Sequence, residues 1–150
     1  MTLAYALIFL WFSSPELEKL RRQYLLAATD KKYMSELATT CQENANQTHP
    51  TNQGYCIMIH FLEAKHAINP YKKLSEFNKG KSSLDSLIIY HNTNIELRYL
   101  RLSMQERVPV FLGYSNQIES DEDYITTNIQ SISDSSTYQL IYNYLQNRND

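Results

Sequence analysis

A chain of 150 residues, 43% hydrophobic, has the length of one domain and enough apolar side chains for a core of its own. Its formal charge of −2, with no basic run, gives no broad attraction to nucleic acid. Three Gly and four Pro, the prolines confined to element starts and loops, argue against a turn-rich β fold and for helices. Tyrosine is abundant, with 12 residues against five Phe and one Trp. A tyrosine can bury its ring and keep its hydroxyl wet, which suits half-buried positions in thin helical layers. Stacking on bases or sugars, the other use of so many rings, would call for a basic groove.

Residues 3–12 (LAYALIFLWF) are ten apolar positions without a charge, far short of the roughly 20 needed to span a bilayer. The run matches the apolar region of a secretory signal peptide, with Ser13 and Ser14 as small residues after it. No Lys or Arg precedes it, and Trp11 and Phe12 stand where further small residues are usual, so a hydrophobic first helix is the alternative. We read residues 1–14 as a signal peptide and residues 15–150 as a single helical domain. That places the chain in the periplasm, the cell envelope or outside the cell, and in the cytoplasm if the leader is not one.

Ser14-Pro15-Glu16 is a helix start: a capping hydroxyl, proline in the first turn, and acid at the positive end of the dipole. Leu17, Leu20, Tyr24 and Ala28 follow at helical spacing. Asp30 caps a second helix with Tyr33, Leu37 and Cys41 as its stripe, and residues 44–54 (NANQTHPTNQG) read as loop with nothing to bury. A third helix over 55–68 places Ile57, Phe61, Ala64 and Ile68 on one side, widened by Met58 and Leu62, as for a central helix touched on two sides. Cys41, late in the second helix, and Cys56, at the start of the third, would be neighbours in an antiparallel hairpin. An exported chain could bridge them; otherwise they are two buried thiols.

Asn69-Pro70 starts a fourth helix that carries Leu74, Phe77, Leu84 and Ile88 on one face. Gly80 interrupts it, at a cost of about 1 kcal/mol relative to Ala. Either another helix comes close there or the helix breaks and Ser82 recaps it; one continuous helix is the expectation. After the turn 91–94, a fifth helix over 95–107 buries Leu97, Leu100 and Met104 and leaves Arg98, Arg101 and Gln105 on its remaining face. Val108-Pro109 ends it, and 111–114 (FLGY) reads as an apolar loop folded back onto the core. Ser120, with Asp123 three residues on, is read as the cap of a sixth helix with Tyr124, Ile125, Ile129 and Ile132 as its stripe. Asp134 starts the last helix, whose stripe is Tyr138, Ile141, Tyr142 and Leu145.

The stretch 69–114 carries two resemblances. Its helix pair with a short turn resembles a tetratricopeptide-type repeat, with Gly80 and Leu84 at the small and large positions and Leu87 and Asn92 where Ala and Pro are usual, as one degenerate unit. The motifs Asn69-Pro70 with Lys73, Phe77 with Gly80-Lys81, Asn94 with Glu96-Leu97-Arg98 and Leu100-Arg101, then Pro109 and Phe111-Leu112-Gly113-Tyr114 resemble those of an uncharacterised family of small exported helical proteins of Bacteroidota-type bacteria. The similarity covers most of residues 15–125. It implies export and a helical fold, and implies no chemistry.

Arg98, Arg101 and Gln105 form the candidate binding surface, because two guanidinium groups at i, i+3 can hold a carboxylate or phosphate. The bland alternative has their stems covering apolar surface and their heads bonded to the 111–114 loop or a neighbouring acid. Tyr114 and His66 complete the tentative binding set. The scattered Lys65, Lys72, Lys73, Lys79 and Lys81 could add to a cationic patch, though such lysines are more often a solvated face. Glu63-x-x-His66 has di-iron spacing but lacks the second pair such a site needs, and His60 is six residues from His66, so no metal is expected. The acidic cluster Glu119, Asp121, Glu122 and Asp123 lacks the glycine and distant Glu of a calcium loop and suits a helix N-terminus. No nucleophile elbow, phosphate loop or paired-acid frame appears.

The sequence therefore predicts an all-α domain of six to seven helices in antiparallel hairpins, tetratricopeptide-like or an irregular bundle. It is expected to be non-enzymatic and without cofactor, binding a protein or peptide partner in the cell envelope. The alternative is a small-ligand-binding protein or envelope enzyme with a pocket between the third and fifth helices, near His66, Arg98, Arg101 and Tyr114.

Overall fold

The Ser14 hydroxyl accepts from the Leu17 amide at 3.2 Å, and Pro15 needs no partner for an amide it lacks, so the chain enters a helix at once. This is α1 (Pro15–Thr29) of a computed structural model that describes residues 14–46 and 49–148. The signal-peptide expectation for residues 1–14 falls, save for Ser14, outside the described residues.

Asp30 caps a short 3-10 turn (Lys31–Tyr33) through the Lys32 amide, and α2 (Met34–Glu43) grows out of it. Next comes α3 (Pro50–His66), which begins five residues earlier than its apolar pattern predicts. Thr51, Asn52 and Gly54, expected in a loop with nothing to bury, are buried in its first turns. The reason is a close crossing: a Cβ on Gly54 would run into Leu97 and lie 3.3 Å from Leu100 Cδ1. Only a residue without a side chain lets the start of α3 meet that neighbour so closely.

Asn69 caps α4 (Pro70–Tyr90), accepting from the Tyr71 and Lys72 amides. The helix runs through Gly80 without a break. A Cβ there would sit 3.0 Å from the Phe61 ring, so the glycine admits the aromatic side chain of α3. Asn94 caps α5 (Ile95–Gln105) through the Leu97 amide and also donates to Thr51 Oγ1 at 2.9 Å. After a 3-10 turn (Val110–Leu112) come α6 (Ile118–Asn128) and α7 (Ser135–Asn147), the last capped by Asp134. Ser120 is not the cap of α6: the helix starts two residues earlier and Ser120 lies inside it.

The described residues thus form seven α-helices and no strand. α3 is central: it packs along α4, on α1, α2 and α5. Leu20, Leu37, Met58, Leu84, Leu97 and Leu100 are wholly buried, each contributing roughly 1.5–3 kcal/mol by leaving water. α5 then carries α6 and α7 on its other side. Several expected core positions are not core: Leu74 of the α4 stripe and Tyr142 of the α7 stripe are exposed, and two others more fully. Ile68 is 99% exposed, because α3 ends at His66 and Ile68 lies in the link to α4. Phe111 is 85% exposed on the 3-10 turn, whereas Tyr114 from the same expected loop is buried.

Cys41 of α2 and Cys56 of α3 are joined in a disulfide, with Cα atoms 5.7 Å apart and 15 residues of separation. It clamps α2 to the start of α3. A loop of that length restricts the unfolded chain by about 3 kcal/mol. Replacing both cysteines by serine is expected to lower the denaturant midpoint and to raise the slope, because the unbridged unfolded chain exposes more surface; an unchanged midpoint would show that the link is held by other contacts.

Burial raises the hydroxyl pKa of Tyr55 well above its ordinary value, the charge of Glu96 adding to it, and burial with the Asp85 charge does the same for Tyr114. Unfolding frees both to ionise near pH 10 while the folded chain keeps their protons. Stability is therefore expected to hold up to about pH 10 and to fall above it. Denaturant unfolding followed across that range checks this, and a flat profile would contradict it.

Candidate functional site

Arg98 and Arg101 do hold a carboxylate together, and the carboxylate is the chain's own. Arg101 donates from Nε to Asp121 Oδ2 at 2.7 Å and from Nη2 to Oδ1 at 2.8 Å. Arg98 adds a third bond to Oδ1 at 2.9 Å, and Asp121 is fully buried. Arg101 Nη1 also reaches Asp85 of α4 at 3.2 Å, and the Tyr114 hydroxyl donates to the same Asp85 oxygen at 3.2 Å. Arg98 donates from Nε to the Asn92 carbonyl at 2.7 Å and lies 4.2 Å from the Tyr124 ring centroid. Burial opposes the charge on Arg101, yet the hydrogen bonds and charges of Asp121 and then Asp85 raise its pKa.

The expected surface is therefore an internal clasp joining α4, α5, α6 and the segment before α6. Arg101 is 6% exposed and Gln105 3%, too little to receive a partner. Both ends of the Gln105 amide are buried without a hydrogen-bond partner among the described residues. His66 lies at the other end of the molecule's sequence-predicted set, half-buried at the end of α3, its Nε2 buried without a partner among the described residues. The structure does not bring it to the arginines. The lone metal-like spacing is dispersed too: His60 Nδ1 lies 2.7 Å from Glu76 Oε2, while Glu63 pairs with Lys72 at 3.3 Å.

A second clasp went unseen in the sequence. Arg21 of α1 donates from Nε and Nη2 to the two oxygens of Glu96 of α5, at 2.7 and 2.6 Å. The Tyr55 hydroxyl of α3 donates to Glu96 Oε1 at 2.7 Å, and Arg21 Nη2 reaches Thr137 Oγ1 of α7 at 2.5 Å. Four helices meet on one buried charge pair. Nothing in local spacing could reveal it, since its members lie 41 to 116 residues apart.

An open cleft of about 900 Å³ lies among the described residues between α3 and α4 on one side and the end of α5 with residues 107–112 on the other, with α1 closing one end. Its floor is Phe61, Leu62 and Phe77; Leu74, Met104 and Val108 form the walls. Phe61 and Phe77 meet edge-on with centroids 5.8 Å apart, and Tyr114 backs both from inside, so the floor is a fixed aromatic cluster. Such pairs contribute about 0.5–1.5 kcal/mol each beyond burial. Lys81 fastens the cluster's back, donating to the Gly113 carbonyl at 3.1 Å with its ammonium 5.3 Å from the Tyr114 centroid.

Three cations line this cleft: Lys65, Lys73 and Arg107. Lys65 donates to the Ala28 carbonyl at 2.6 Å; Lys73 and Arg107 make no ion pair among the described residues. No Asp, Glu, Ser, His or Cys belongs to the lining, which is mainly apolar with positive charge at three side chains. Tyr24 also faces the cleft; burial raises its pKa and the Arg107 charge opposes that rise. None of His66, Arg98, Arg101 or Tyr114 lines it. Of the two helices named for a sequence-predicted pocket, α3 lines this cleft and α5 contributes Met104 alone, and the polar residues expected there lie elsewhere. Lys65 and Lys73, scattered in the sequence, come together in its lining.

Comparison with known proteins adds no relative: no family model, curated protein or solved structure matches the chain.

The clasp has a clear energetic signature. Arg101→Met takes two of the three guanidinium bonds from buried Asp121 and leaves it Arg98 alone, which is expected to cost up to about 3–5 kcal/mol. Adding Asp121→Leu removes the under-paired buried carboxylate and is expected to recover part of that loss, since Arg98 loses its own partner with it. Denaturant unfolding of the two single variants and the double gives the coupling; simple additivity would mean the pair does not act as a clasp.

Proposed function

We propose that this chain is a non-enzymatic binding module that docks a segment of another protein in the cleft between α3 and α5. The observation that carries the reading is the apolar surface continuing past the cleft. Val110 and Phe111 stand on one lip, 82% and 85% exposed, and Ile68 and Tyr71 border the start of α4, 99% and 87% exposed. A small guest held in the cleft leaves these side chains in water, whereas a protein segment laid across the mouth covers them. The stack of helix hairpins, tetratricopeptide-like in this reading, supplies a rigid wall on each side of such a groove.

The partner's acidic groups meet Lys65, Lys73 and Arg107 in this reading, not Arg98 and Arg101. The Cys41–Cys56 disulfide supports a working place in an oxidising compartment, the periplasm or cell envelope. The resemblance to small exported helical proteins of Bacteroidota-type bacteria points the same way. Among the described residues no helix is long and apolar enough to cross a membrane.

A second reading is favoured by size alone. A volume of about 900 Å³ lies within the roughly 300–1,000 Å³ common for small-molecule sites. An apolar small ligand would then fill the floor and walls.

A photo-crosslinking residue placed at Phe111 in the living cell separates the two, with Ile89, 70% exposed near the end of α4, as the control position. One discrete protein adduct from position 111 and none from position 89 is the expected result. An adduct of small-molecule mass at 111 would move the assignment to the second reading, and equal protein adducts at both positions would overturn a specific site.

A further inference from the structure

We infer that the docked segment is an amphipathic helix whose apolar stripe is flanked by acidic residues; this rests on the docking reading above and names its partner's chemistry. The first argument is hydrogen bonding. A backbone buried against protein must satisfy its amide and carbonyl groups. An extended segment takes those bonds from a strand edge, and the described residues contain no strand. The backbone of the cleft walls has little else to give, and the side-chain donors of Lys73 and Arg107 can serve carbonyls but no amide. Pro70 and Pro109 have no amide hydrogen, and the Val108 amide already donates to the Met104 carbonyl at 3.1 Å. The Leu112 amide is likewise bonded to the Pro109 carbonyl at 3.0 Å. Lys65 is bonded to Ala28. A segment that enters this cleft must therefore bring its backbone bonds with it, which a helix does.

The second argument is shape. The α4 wall runs from Pro70 to Phe77, about 11 Å or two helical turns, with the apolar floor beside it. Two turns of a partner helix present apolar anchors at i, i+3 or i+4, and i+7 to such a wall.

The third argument is charge. The lining holds three cations and no anion, and Lys73 and Arg107 lack an ion-pair partner among the described residues. A basic helix would face uncompensated repulsion at each; an acidic one meets a partner at each. The two lie on different elements, Lys73 on α4 and Arg107 just past α5, so carboxylates on both sides of the apolar stripe would be engaged.

Three fluorescent peptides test this on the full chain: one with a helical apolar stripe flanked by Glu, one with the same stripe flanked by Lys, and one with the acidic composition but prolines that forbid a helix. Anisotropy titrations at low and high salt give the affinities. The acidic helix is expected to bind about tenfold or more tightly than the basic one, as a few partly shielded charge contacts allow, and to lose that margin as salt rises. In Lys73→Glu/Arg107→Glu the preference is expected to reverse; both side chains are exposed and unpaired, so circular dichroism and thermal unfolding should match the parent. Equal binding of the acidic and basic helices, abolished by Phe111→Asp, would overturn the charge assignment and leave the docking site standing. Equal binding of the proline-containing peptide would overturn the helical form. Failure of all three to bind would overturn this inference, while the docking reading would still be decided by the crosslink at position 111.

Discussion

α5 is held by two buried charge pairs of opposite sense. Near its start Glu96 receives Arg21 from α1; about a turn and a half on, Arg101 grips Asp121 of α6. A buried pair adds little net stability over apolar residues of the same volume, because desolvation offsets the attraction. Its force lies in what it forbids. A rotation or slip of α5 by one residue would leave two carboxylates and two guanidinium groups buried without partners, at several kcal/mol each. Apolar stripes alone tolerate such slips far better. The pairs thus fix one register for α5 against the helices on either side of it, and the arrangement of α3, α4 and α7 follows through Tyr55, Asp85 and Thr137.

That fixed register determines the cleft. With α5 locked, Met104 and Val108 face Phe61 across a gap that no side chain fills. The aromatic floor could close the gap only by moving Phe61, and Phe61 is pinned by Gly80 behind it and by the Phe77 and Tyr114 rings beside it. Gly80 weakens the helix that carries it, as glycine does in a helix interior. Here the loss supports the placement of a ring that faces the open side of the molecule.

Much of the helical layout was legible because helix ends announce themselves locally. Ser14-Pro15, Asn69-Pro70 and Asp134 each cap where the sequence predicts, and Asn94, read there as the end of a turn, caps α5 as well. The failures share one cause. Periodicity reports which residues share a face and says nothing of what that face meets. Thr51, Asn52 and Gly54 read as loop because they are polar or small, yet they are buried by Leu97 and by the Asn94 side chain bonded to Thr51. Arg98, Arg101 and Gln105 were correctly grouped as one face; that it turns inward to Asp121 depends on a helix 20 residues further on. Lys65, Lys73 and Arg107 are unremarkable in sequence and come together only when α3, α4 and α5 have packed.

The distribution of unpaired charge is the remaining clue to where the molecule meets its surroundings. Arg21, Arg98, Arg101 and Arg148 all have carboxylate partners within the chain, and Arg148 bridges Glu106 and Glu122. The guanidinium groups that bind the fold together are therefore satisfied before any partner arrives. Lys73 and Arg107 stand apart: they sit beside exposed apolar side chains, with no carboxylate set against them among the described residues. A surface organised only for solubility intersperses charge of both signs and keeps large apolar side chains scattered. Cations of one sign around an apolar hollow match instead the proposed docking surface, which an oppositely charged, apolar-faced partner would cover.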